Sequence, residues 1–147
     1  TVTQLDAFTR HYFRAFATNS EGTEYSSPEW FDTNGSDDGP TWANATEIPD
    51  APRWWYSDWF GNFAVTTGTN WIYHEHYGWL YVALDGKDGF WFWQKDLGWF
   101  WTRSDLYPHL FGQTDGWYFY LGSEGNRVFL FRYSDGAWVD IVRDSSR

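Results

Sequence analysis

Cysteine and methionine are both missing from this sequence, and proline is confined to five positions, four of them between residues 28 and 52. Without cysteine no disulfide can hold the fold and no thiol can act as a nucleophile. The absence fits a cytosolic and a secreted bacterial protein alike. Basic residues are scarce, 10 against 20 acidic ones, and the net charge of −10 opposes long-range attraction to phosphate backbones. Nucleic acid is therefore a poor partner, even though many rings could stack on bases. No apolar run approaches the roughly 18 residues that a membrane span needs, and no charged-plus-apolar leader opens the chain. Thr1 in place of an initiator Met points to a processed or excised product. A Gly-x-Ser-x-Gly elbow and a phosphate-cradling glycine loop ahead of a helix are also lacking.

What fills the 147 residues is ring: 13 Trp, 10 Tyr and 13 Phe, together 24% of the chain. This length supports one ordinary domain, or a small domain with an arm. The 14 glycines and clusters of Asn, Asp and Ser cut the aromatic runs into pieces too short and too alternating for helices. The fold class predicted is all-β. Three stretches differ in texture: a hairpin region at 1–27, an irregular linker at 28–53 carrying Pro28, Pro40, Pro49 and Pro52, and a Trp-rich part at 54–147.

The Trp-rich part repeats. Ile72-Tyr73, Phe92-Trp93 and Leu110-Phe111 are each followed, four residues later, by Gly78-Trp79, Gly98-Trp99 and Gly116-Trp117. An imperfect fourth copy runs from Phe131-Arg132 to Gly136-Ala137-Trp138. A period of about 20 residues fits stacked β-hairpins in which each unit borrows its neighbour's rings. Glycine allows positive φ on leaving the turn, and the Trp after it can pack across onto the preceding ring. Tyr73, Trp79, Trp99, Trp117 and Trp138 are accordingly expected to form the repeat core or ring ladder. This rhythm is similar to the Trp-rich hairpin repeats of bacterial surface proteins, choline- and glucan-binding repeats among them. The resemblance implies an extracellular or cell-surface location and no particular ligand.

The opening stretch reads as a hairpin too. Tyr12 to Thr18 alternates, Asn19-Ser20-Glu21-Gly22 supplies turn residues, and Thr23 to Ser26 resumes a β-prone run. This segment resembles the last two strands of a fibronectin type III domain, with Ala7 in place of the usual Pro and His11 in place of the corner Tyr. A lone hairpin is marginal in water, so Phe13, Ala15 and Ala17 on one face, and Tyr12 and Phe16 on the other, call for cover. The cover can come from the chain's own sheet, from more of a longer protein, or from a neighbouring copy by strand addition.

Elsewhere the chemistry is thin. His74 and His76 are spaced to share a metal on a strand, but no further ligands are evident, and surface turn residues are the simpler reading. The run Asp32 to Gly39 is oxygen-rich but departs from the helical calcium-loop signature at Asp37 and Ala43. No metal or cofactor is expected. Carboxylates fall mainly in turns, where solvated acids make weak general acids at neutral pH, so no catalytic residue is assigned. Asn34 and Asn44 head Asn-x-Ser/Thr triplets that can carry glycans. Exposed Trp and Tyr stack on sugar C–H faces. Rings alternating away from the ladder, Trp91, Trp93, Trp101 and Tyr118, are the sugar-stacking candidates. The function expected is that of a non-enzymatic extracellular structural protein. It would be a self-assembling subunit of a bacterial surface fibre or adhesive layer that uses Tyr12, Phe13, Ala15, Phe16 and Ala17 for contacts between copies. A carbohydrate-binding module is the alternative.

Overall fold

A computed structural model of the chain describes residues 5, 9–33, 40 and 42–143. The described residues form an all-β protein without a helix. Four strands make the arm: β1 (Arg10–Phe13), β2 (Phe16–Asn19), β3 (Gly22–Tyr25) and β4 (Glu29–Asp32). β2 pairs with β3 across the Asn19–Gly22 turn, where Asn19 Oδ1 accepts from the N–H groups of Glu21 and Gly22. β1 pairs with β4, not with β2, so one long ribbon runs out from Thr9 and back to Thr33. Its register slips by one residue between Phe13↔Glu29 and Phe16↔Tyr25. The ribbon therefore extends past residue 27, and the stretch 28–53 holds two strands rather than being irregular throughout.

The other eleven strands are β5 (Thr46–Glu47), β6 (Trp54–Ser57), β7 (Gly61–Val65), β8 (Trp71–His74), β9 (Gly78–Leu84), β10 (Gly89–Gln94), β11 (Gly98–Arg103), β12 (His109–Gly112), β13 (Gly116–Glu124), β14 (Arg127–Arg132) and β15 (Ala137–Val142). They form one antiparallel meander in unbroken sequence order, with β5 and β15 as its end strands. Each repeat is thus a hairpin whose second strand also pairs with the first strand of the next.

The sheet curls. Tyr77, in the turn leading to β9, packs on Tyr120 of β13 with ring centroids 5.0 Å apart. In a flat sheet those strands would lie about 19 Å apart, at roughly 4.8 Å per strand. Arg143, just past β15, donates to the Glu75 carbonyl, again across the concave side. The core fills this concavity with alternate residues of β7 to β15: Phe63, Ile72, Leu80, Val82, Phe90, Phe92, Phe100, Leu110, Tyr118, Val128, Leu130 and Ile141 are all buried. Phe60 sits at its centre, with rings of Trp42, Trp59, Phe63, Tyr77, Phe90, Phe92 and Tyr107 within about a ring's reach of its own.

The glycine-tryptophan pairs mark the other face. Gly78 and Gly98 leave their turns at φ 77° and 78°, and the Trp that follows each points to the convex side. Tyr73, Trp79 and Trp99 are only partly buried, Trp117 is 39% exposed and Trp138 64% exposed. These residues are a surface ladder and not a core. Alternation explains it, because the buried partner in each case is the next residue along, Leu80, Phe100 or Tyr118.

Candidate binding surfaces

The turns set the geometry by a device that recurs. Four residues ahead of each turn glycine lie Ser57, His74 and Gln94, all buried. Ser57 Oγ accepts from Phe60 N–H, His74 Nδ1 from the N–H groups of His76 and Tyr77, and Gln94 Oε1 from those of Asp96 and Leu97. A side-chain acceptor thus closes each turn from inside and lets the residue just before glycine, Phe60 or Tyr77, drop into the core. His74 is therefore not a surface turn residue. Because its Nδ1 accepts, its proton sits on Nε2, which donates to the Phe60 carbonyl at 2.7 Å. Burial, reinforced by neighbouring His76 and only partly offset by the Phe60 carbonyl and Glu75, lowers its pKa from 6.5 to about 4.

His76 lies on the rim. Its Nδ1 meets Ser123 Oγ at 2.8 Å, and its Nε2 lies 3.4 Å from Glu75 Oε1. A register shift between Tyr120 and Gly122 turns Ser123 toward it. Glu75 is already held by the N–H and the amide of Asn62. Burial would raise its pKa, but those two bonds and the two imidazoles pull it below the ordinary value. The Tyr77 and Tyr107 hydroxyls lie 3.3 Å apart, and burial pushes both phenols up. This polar chain clasps the turn before β9 to β13. Their hydrogen bonds make His74 the turn closure and His76 the clasp, with ring centroids 5.6 Å apart; among the described residues no group of three metal-ligating side chains converges.

The convex face carries rows of rings. Trp71, Tyr81, Trp93 and Trp99 form one row through direct register pairs, and Trp91, Trp101, Phe111 and Trp117 another. Edge contacts recur along them: Trp71 to Trp93 at 5.9 Å, Tyr81 to Trp99 at 6.1 Å and Phe111 to Trp117 at 5.3 Å. Trp91, Trp93 and Trp101 thus share the ladder's face rather than alternating away from it. Tyr118 is on the opposite, concave side and is 2% exposed, so it cannot stack on an external sugar. Trp101 is further fixed by a bond from Nε1 to Asp85 Oδ2.

A cleft of about 380 Å³ lies between this wall and the root of the arm. Trp91 and Trp99 face Tyr12 and Arg10 across it, with Asp85 and Gln113 adding polar groups. The root is anchored by a bridge from Thr9 to Leu84 and by reciprocal bonds between Thr9 and Thr33. A second, more polar cavity of about 360 Å³ is bounded by Trp42, Trp59, Asn44, Lys87 and Arg103. Asn44 is exposed in a left-handed turn at φ 51°, whereas Asn34 and most of the oxygen-rich run lie outside the described residues.

Beyond its root the arm is open. Tyr12 is 71% exposed, Phe13 54%, Phe16 70%, Tyr25 54%, Trp30 55% and Phe31 41%. Ala15 and Ala17 are exposed as well. Tyr12 pairs with Trp30 and Phe16 with Tyr25, while Arg10 and Arg14 lie 3.9 Å and 4.0 Å over the Trp30 and Tyr25 rings. Trp30 and Phe31 were not legible as contact residues, because β4 falls where prolines suggested a linker. Compared with family models, with curated proteins and with solved structures, the chain finds no match. No helix among the described residues is long and apolar enough to cross a membrane.

Proposed function

We propose that the protein is a non-enzymatic structural subunit of a surface fibre or adhesive layer outside the cell, and that the arm, read as a fibronectin type III-like terminal hairpin, joins one copy to another. The observation that carries this reading is the arm's exposed ring surface. Its six large rings leave roughly 700 Å² uncovered at about 200 Å² per ring. Summed over the arm's two faces, that approaches the roughly 800 Å² per partner of a standard interface. Sedimentation velocity of the wild-type chain and of Tyr12→Lys/Phe16→Lys tests it. The wild type forms species larger than a monomer and the variant does not; a monomeric wild type at high protein and salt concentration refutes the reading.

A second reading, carbohydrate binding, is favoured by the Trp rows and the cleft they share with Arg10, Asp85 and Gln113. It predicts retardation on a polysaccharide affinity gel and quenching of Trp fluorescence by added glycan, both lost in Trp91→Ala/Trp99→Ala.

A further inference from the structure

The ladder's most exposed ring, Trp138, lies in the last described hairpin, and among the described residues no strand pairs with the outer edge of β15. Trp138 is 64% exposed although Phe131 packs on it at 5.2 Å, Tyr133 is 50% exposed and Val142 52%. Leu121, at the bulge of β13, is 59% exposed and Trp117 39%. Stacked-repeat proteins ordinarily finish such an edge with a polar capping unit. Here the end strand β15 presents six residues of extended edge with rings beside it. Open edges of this kind template pairing with another chain.

Among the described residues nothing pairs with this edge, and the arm is a ring-bearing hairpin of the kind that pairs along the meander. Resting on the self-assembly reading above, we infer that the contact is heterologous: the arm of one copy adds to the β15 edge of the next and continues the meander from chain to chain. Strand addition would satisfy the edge's backbone groups, and the arm's rings would cover Trp138 and its neighbours, as Trp93 packs on Trp71 and Trp99 on Tyr81 between successive hairpins. The areas agree. The exposed Trp117, Leu121, Tyr133, Trp138 and Val142 amount to roughly 450 Å² of apolar surface. Interfaces are about 57% apolar, so this corresponds to a patch of roughly 800 Å², the share one partner contributes to a stable contact. Because the arm and the edge are different surfaces, the contact does not use itself up in a dimer. It leaves one arm and one edge free at the ends, and so propagates unless the rotation closes a ring.

Two variants, each lacking one surface, test the inference. Tyr12→Lys/Phe16→Lys keeps the edge and loses the arm; Trp138→Lys/Val142→Lys keeps the arm and loses the edge. All four side chains are more than half exposed, so the fold should survive, and far-UV circular dichroism and a melting curve check it; Trp138→Ser replaces the second variant if it does not fold. Each variant alone should sediment as a monomer, with self-association weakened at least tenfold. Their equimolar mixture should give a 1:1 heterodimer that grows no further. If the edge variant assembles as the wild type does, or the mixture stays monomeric while the wild type assembles, the arm binds elsewhere, for instance on another arm. The inference then fails and the self-assembly reading stands. A wild type that never leaves the monomer removes both.

Discussion

Acidification should weaken the fold through one imidazole. Native His74 is locked as the Nε2-protonated tautomer, with two backbone N–H groups aimed at Nδ1. Full burial disfavours the charged ring, and His76 nearby adds to that, so the native pKa falls from 6.5 to about 4; a second proton would also have to enter Nδ1 against those donors. The unfolded chain therefore binds more protons than the native one between these two values. Stability is fully present above pH 6.5 and is lost as pH falls toward 4. The total loss across that window is about 3 kcal/mol at 1.36 kcal/mol per unit, and about 2 kcal/mol of it appears between pH 7.5 and pH 5. Urea unfolding at those two pH values measures it.

The control is His74→Gln, because Gln94 closes the equivalent turn with its own Oε1. The variant should cost about 1 kcal/mol at pH 7.5 for the lost bond to the Phe60 carbonyl, yet lose far less stability on acidification. At pH 5 the two proteins should be close to equal, or the variant the more stable. Glu75 does not confuse the comparison: its native pKa is lowered from 4.5, so its contribution is lost only as pH falls below that value. If the variant keeps the wild-type dependence between pH 7.5 and 5, the origin assigned to it is wrong.

Phe60→Ala should destabilise by about 3–5 kcal/mol, since the ring sits where sheet and turns converge; Trp138→Ala should cost about 1 kcal/mol or less, the value of one exposed cross-strand pair. Thermal or urea unfolding separates them, and equal losses would contradict the assignment of core and ladder to opposite faces. Gly89→Ala should cost about 1–3 kcal/mol, because a Cβ there would stand 2.7 Å from Trp101 Nε1 and 2.9 Å from Asp85 Oδ2. The same denaturation assay reads it, with Trp101→Leu expected to relieve part of the loss. Copies of a chain with net charge −10 repel one another. Added salt should therefore strengthen assembly, as sedimentation from low to moderate ionic strength would show; weakening by salt would mean that ion pairs drive the contact.

The strand-turn-strand rhythm was legible because the glycine before each Trp is demanded by backbone geometry, and such demands are written in single residues. Which way the Trp points was not. Alternation fixes that Trp79 and Leu80 face opposite ways, but the choice of buried side depends on curl, and curl depends on what the turns contribute. The sequence did carry a signal: Ser57, His74 and Gln94 share the place four residues before glycine, and Phe60, Tyr77 and Leu97 share the place just before it. An acceptor and an apolar residue at fixed places in a supposedly variable turn mark a turn that packs inward. The reach of the arm was missed for a different reason. Pro28 lies just ahead of β4, where no ladder donor is needed, so its presence spoke against a strand that it merely precedes.

The ring count follows from the curl. A flat sheet buried on one side needs large residues only there. When the sheet rolls around Phe60, the convex side opens out and strand spacing leaves gaps between its side chains. Wide rings set edge to face close those gaps where Val or Thr would leave backbone wet. The Trp rows thus stabilise the curl along the whole meander, with Trp93 on Trp71 and Trp99 on Tyr81 tying successive hairpins together. At β15 no such partner lies within the described residues. The same rings that hold the inner hairpins together become there an exposed edge shaped for one more hairpin, so the rule that builds the domain also builds the surface on which a second copy would dock.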